Sequence, residues 1–152
     1  MYTIPQILMS AGVKYEDHPK RPGRGVFLTA ANQLMGTYAD LRRCQTSSSD
    51  YFGWDAHHIV ERQDLERLGI QHKFPPYEWQ ICVLLPKGAH VKRLNSVFRH
   101  QNPSNWKATV GDLKRAYRDA YWLIGDYSGG GERGIRDELV KVILAMFRSA
   151  GL

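Results

Sequence analysis

Apolar positions recur at helical spacing at both ends of the chain and condense into two short runs near its middle. Ile4, Ile7, Leu8 and Ala11 fall at i, i+3, i+4 and i+7, which predicts a helix over Tyr2 to Ala11 with Pro5 in its tolerant first turn. A second helical pattern begins at Thr29, a fitting N-cap, and runs to about Cys44 through Ala30, Leu34, Tyr38 and Leu41. Between them, Gly12 to Gly25 sets Pro19, Pro22, Gly23 and Gly25 among Lys14, Lys20, Arg21 and Arg24. That composition predicts an exposed basic loop, open both to phosphate contact and to simple solvation.

The polar run Gln45 to Asp50 interrupts the pattern, and Tyr51-Phe52-Gly53-Trp54 and Ile81-Cys82-Val83-Leu84-Leu85 then read as two short strands. Their connection is part-helical over Glu61 to Leu68, with Gly69 as its stop and Pro75-Pro76 as a turn. Beyond Gly88, the positions Val91, Leu94, Val97 and Phe98 make one helical face, ended by Asn102-Pro103-Ser104. Two amphipathic helices close the chain, Val110 to Ile124 and Gly134 to Ala150, separated by Ser128-Gly129-Gly130-Gly131.

The pattern predicts an α+β fold in one domain spanning 1–152, with a core at about 51–100 and helical flanks at 1–44 and 109–150. A hydrophobic content of 43% is enough for an ordinary core. The net charge of +6 favours a polyanionic partner, because cations that neutralise phosphates release condensed counterions. The two cysteines, Cys44 and Cys82, form no Cys-x-x-Cys pair, which argues against a disulfide framework or a thiolate zinc cluster. Nothing approaches the ~18 apolar residues of a membrane span, and the first residues lack the basic leader and cleavage pattern of a signal peptide.

Candidate chemistry centres on Asp55-Ala56-His57-His58-Ile59-Val60-Glu61. Adjacent histidines on or at the end of a strand point to opposite sides, so one imidazole is suited to ligating a cation and the other to taking a proton from water. A phosphodiester also needs its developing charge stabilised, which a divalent cation can do. His90, after the second apolar run and at the opening of a helix, is the natural contributor from elsewhere in the chain.

The residues Ala56-His57-His58-Ile59-Val60-Glu61, then Val83-Leu84-Leu85-Pro86 with His90 four residues on, resemble HNH (His-Me finger, ββα-metal) nucleases, in particular toxin domains with Ala before the paired histidines. The resemblance covers Asp50 to Pro103 and implies a ββα-metal core. By it, His58 is the general base and His57 and His90 are metal ligands. Many relatives carry another ligand one turn beyond the helix histidine. Here that position is Leu94, and Asn95 serves only if His90 precedes the first regular turn. The central Asn of the motif is absent from the second strand, where Gln80 and Cys82 stand.

The resemblance further implies a DNA substrate cut with low sequence specificity, and a bacterial polymorphic toxin delivered into a competitor's cytoplasm and neutralised by an immunity protein. Mg²⁺ or Mn²⁺ suits an open site meeting phosphate, while imidazole ligands also accommodate Zn²⁺ or Ni²⁺. Asp55 and Glu61 are either outer supports of the imidazoles or turn and helix-start residues. Lys87, Lys92, Arg93 and Arg99 suit flanking phosphates or a solvated helix face. Trp54, Trp79, Trp106 and Trp122 are assigned to packing, and His18, His72 and His100 have no distinguishing arrangement. The competing readings are a ribonuclease on the same scaffold and a non-catalytic basic module that binds nucleic acid. The missing Pro-Cys-x-x-Cys segment argues against a zinc nucleobase deaminase.

Overall fold

A computed structural model describes residues 3–47, 49–86, 109–127 and 133–152, and among them the fold is α+β. The strands β1 (Tyr15–Asp17), β2 (Phe27–Thr29), β3 (Leu34–Thr37), β4 (Trp54–His58) and β5 (Ile81–Pro86) form one antiparallel sheet in the order β1-β2-β3-β5-β4. The helices are α1 (Ile4–Ala11), α2 (Tyr38–Thr46), α3 (Arg62–Leu68), α4 (Val110–Tyr127) and α5 (Arg133–Ser149).

β5 shows why its sequence is apolar throughout. Ile81, Val83 and Leu85 join the larger core with α1, α4 and α5, whereas Cys82 and Leu84 point the other way into a smaller core with Val26, Leu34, Leu41 and Cys44. Successive side chains alternate across a strand, so a strand covered on both faces has no polar position to spare. α1, α4 and α5 therefore lie over one face of the sheet and α2 lies over the other.

Local signals set the helix ends. Thr3 and Gln6 close a capping box at the start of α1, and Gly12, at φ 71°, takes the left-handed position that ends it. Gly69 ends α3 in the same conformation, as its position predicts.

Three expectations are corrected. The helix predicted from Thr29 to Cys44 begins only at Tyr38, capped by Thr37. Thr29 closes β2, Asn32 turns the chain at φ 60°, and Leu34 to Thr37 pair with β5 instead. The basic stretch from Gly12 to Gly25 is not all loop, since Tyr15 to Asp17 pair with Phe27 to Thr29. The first central strand lies downstream of Tyr51-Phe52-Gly53 and contains both histidines, with Tyr51 ending a 3₁₀ turn and Gly53 at φ 81° before the strand opens. β4 and β5 pair antiparallel, and the helix expected after Gly88 lies outside the described residues.

Candidate functional site

β4 is an edge strand of the sheet, registered on β5 with His57 opposite Val83 and His58 opposite Cys82. The alternation predicted for the pair is present. His57 reaches toward Tyr121 on α4, while His58 stacks against Tyr38 of α2 and Tyr77 of the connection before β5. Both imidazoles nevertheless line one cavity of about 690 Å³, shared with Tyr38, Ala56, Glu61, Arg62, Gln63, Glu66, Tyr77 and Glu78.

Each histidine is held by a different polar partner. His58 Nε2 lies 3.2 Å from the Tyr77 backbone carbonyl. A carbonyl only accepts, so this contact puts the proton on Nε2 and leaves the lone pair on Nδ1. The ring is sandwiched, with centroids 3.7 Å from Tyr77 and 5.7 Å from Tyr38 and interplanar angles of 13° and 14°. Burial lowers the His58 pKa below its ordinary value against the opposing pull of the Tyr77 carbonyl, so the ring is neutral at pH 7.

Tyr121 does the corresponding work for His57. Its hydroxyl donates to the Ile59 carbonyl, and its oxygen lies 3.4 Å from His57 Nε2. A phenol has one proton to give, so the oxygen accepts from Nε2–H and the lone pair of His57 stays on Nδ1. Burial, with the neighbouring His58, pulls the His57 pKa down to about 3, which keeps this ring neutral as a metal ligand must be. Burial also raises the Tyr121 hydroxyl well above its ordinary pKa, so it remains protonated.

Glu61 stands at the N-cap of α3, but its side chain makes no capping bond. Instead it faces the cavity and accepts from Gln63 Nε2 at 2.8 Å, while its backbone N–H donates to the buried Tyr117 hydroxyl at 2.8 Å. Tyr117 in turn donates to Asp64 Oδ2 at 2.5 Å, tying α4 to α3 beneath the cavity floor. Asp55 is half-buried on β4 opposite Leu85, on the same side as His57 by the two-residue repeat.

Among the described residues that line it, the cavity is acidic: Glu61, Glu66 and Glu78 face Arg62, which is itself paired with Glu66 at 2.6 Å. Such a field draws a divalent cation and repels a bare phosphate. Among the described residues no three His, Cys, Asp or Glu side chains converge as a metal-holding set. His90, Asn95, Lys87, Lys92, Arg93, Arg99 and His100 lie outside the described residues.

Tyr38, Tyr77 and Tyr121 are neighbours of the paired histidines that sequence reasoning missed. Tyr121 had a usable signal, four residues after Tyr117 on the same buried helical face, but nothing local names its partner. Gln80 occupies the region of the missing motif Asn. Its Nε2 donates to the Pro75 carbonyl at 3.1 Å and its backbone N–H to Tyr77 O at 3.2 Å, which braces the turn that presents that carbonyl to His58. Trp79 is 66% exposed, so its assignment to packing is corrected: it sits on the 3₁₀ turn just before β5. Trp54 does pack against the smaller core. His18 is buried and structural, its Nε2 2.7 Å from the Tyr51 hydroxyl. Comparison with protein-family models, curated proteins and solved structures gives no match. No described helix is long and apolar enough to cross a membrane.

Proposed function

We propose that the chain is a metal-dependent endonuclease that hydrolyses DNA phosphodiesters with low sequence specificity. One observation carries the reading: two adjacent, neutral histidines open on a single acidic cavity, each pinned through Nε2 by a separate partner. Two imidazoles fixed in this way are equipped for different tasks. In the proposed reaction His58 accepts a proton from water at Nδ1 as the water oxygen bonds to phosphorus, and the bond from phosphorus to the leaving sugar oxygen breaks.

The donor chemistry fits a divalent cation, since His57 offers a lone pair from a tautomer fixed by Tyr121 and the carboxylates make the field negative. His57 would hold it together with His90 and Asn95 from beyond β5. A bound Mg²⁺ or Mn²⁺ supplies charge stabilisation at the phosphoryl oxygens and the departing alkoxide. Tyr77 and Tyr38 keep the His58 ring from rotating, and Tyr77 holds its proton at Nε2. A toxin context and an immunity-protein partner rest on the motif resemblance alone.

The test is plasmid cleavage by the purified chain with Mg²⁺, Mn²⁺, Zn²⁺ or EDTA, with a structured RNA in parallel. Cation-dependent nicking that falls by roughly 10²- to 10⁴-fold in His58→Ala supports the assignment. Cleavage of RNA alone moves the substrate to ribonuclease, and no cleavage under any cation from a folded protein overturns the enzyme reading.

A further inference from the structure

On the far side of α2 from the cavity lies a second groove, about 1130 Å³, between that helix and the chain joining β1 to β2. Its cations are Lys20, Arg21, Arg24 and Arg43, and the one carboxylate in its lining is Asp40, already engaged by Arg43. Lys20 approaches Asp50 at 3.9 Å, but both side chains are well exposed and such a pair neutralises little. The groove therefore keeps a strong positive field, opposite in sign to the cavity.

The loop that carries these cations is built rather than slack. His18 Nδ1 accepts from the Lys20 N–H at 3.2 Å, the Arg21 N–H donates to the His18 carbonyl at 2.9 Å, and the Gly23 N–H donates to Asp17 Oδ2 at 3.3 Å. Arg21 reaches across the groove to Ser47 on the α2 side. Cations held in place lose less entropy when an anion arrives. α2 links the two regions, because Tyr38 lines the cavity while Arg42, one turn along on the same face, and Arg43 lead over the helix to the groove.

Resting on the nuclease reading, we propose that this groove binds the phosphodiester backbone of the DNA substrate several nucleotides from the cut, adding grip on the strand outside the cavity. Contacts to backbone phosphates fix register without reading bases, which agrees with low sequence specificity. Arg24 and Arg21 are the principal positioning residues. Arg24 makes no hydrogen bond or ion pair among the described residues and is ready for phosphate.

The experiment is fluorescence anisotropy of a labelled 20-base-pair DNA duplex bound by the full chain in EDTA, titrated at several NaCl concentrations. Variants are Arg21→Gln/Arg24→Gln, Arg24→Gln alone in case loss of the Arg21 contact to Ser47 impairs folding, and Arg115→Gln/Arg118→Gln on α4 as control. Removing two phosphate contacts should flatten the slope of log affinity against log salt by about 1.8 and weaken binding up to about 60-fold at 0.1 M NaCl. Arg24→Gln should produce about half that slope change, and the control should match wild type. Wild-type affinity and slope in both groove variants, or no duplex binding by wild type, overturns the proposal. The former outcome suits an acidic protein in the groove. Cleavage with Mg²⁺ or Mn²⁺ separates the two readings: binding through the groove without cleavage sinks the enzyme alone, and cleavage with unaltered variant binding sinks the groove alone.

Discussion

Tyr117→Phe removes one oxygen atom from a deeply buried polar link between α4 and the site. Tyr117 is 1% exposed and Asp64 3%, and the hydroxyl both donates to Asp64 Oδ2 at 2.5 Å and accepts from the Glu61 N–H at 2.8 Å. Loss of a hydrogen bond to a carboxylate costs about 1.5–3 kcal/mol, and loss of a neutral amide bond about 0.5–1.5 kcal/mol. Glu61 is only half-buried, so water recovers part of the second, and the net expectation is a destabilisation of about 2–3 kcal/mol. Urea unfolding followed by circular dichroism should show a lower midpoint at unchanged slope, and the melting temperature should fall by roughly 4–12 °C for a chain of this size. Asp64→Asn supplies the second arm of a double-mutant cycle, in which the pair should couple by at least about 1 kcal/mol. A loss below about 0.5 kcal/mol, or purely additive variants, would refute the view that this hydroxyl pins the cavity floor.

Three further outcomes follow from the same geometry. The folded-state pKa of His57, about 3, lies below its ordinary 6.5, so between those values the unfolded chain binds the extra proton and stability falls with acidification; His57→Gln should flatten the urea midpoint's decline between pH 6.5 and 4. Gln80→Met removes the donor to Pro75 O, and relaxing the turn behind Tyr77 should lower kcat by about tenfold and displace the acidic limb of the pH–rate profile, with KM for DNA little changed. Gly36→Ala would bring a Cβ within 2.7 Å of the Gly25 carbonyl, so β3 and the segment leading into β2 must shift apart and the melting temperature should drop by several degrees, as a calorimetric scan would show.

The elements read most directly from sequence were those whose period is set by a single face, namely α1, α4 and α5, together with β5, whose unbroken apolar run reflects burial on both sides. β4 was displaced in the reading because Tyr51 and Phe52 look strand-like, yet Phe52 is 93% exposed on a turn. The true strand, Trp-Asp-Ala-His-His, has half-buried positions throughout, since the residues that serve the site replace the apolar alternation that would have marked it. Leu34 to Thr37 were hidden for another reason: Ala30, Leu34, Tyr38 and Leu41 happen to fall at helical spacing, and pairing with β5 overrides it. The paired histidines were legible as a motif, whereas their partners were not, because Tyr77 and Tyr121 lie 19 and 64 residues further on.

The contact between the first helix and the last gives this fold a schedule. α1 packs on α5, and Arg148 donates to the Ser10 carbonyl at 2.9 Å across 138 residues of sequence. Contacts of such separation form late, after a long loop closes. During synthesis, the sheet's larger apolar face stays uncovered until α4 and α5 have been made, and the two histidines are made before their Tyr121 support. Closure of the larger core and support of the paired histidines thus wait on the same two helices.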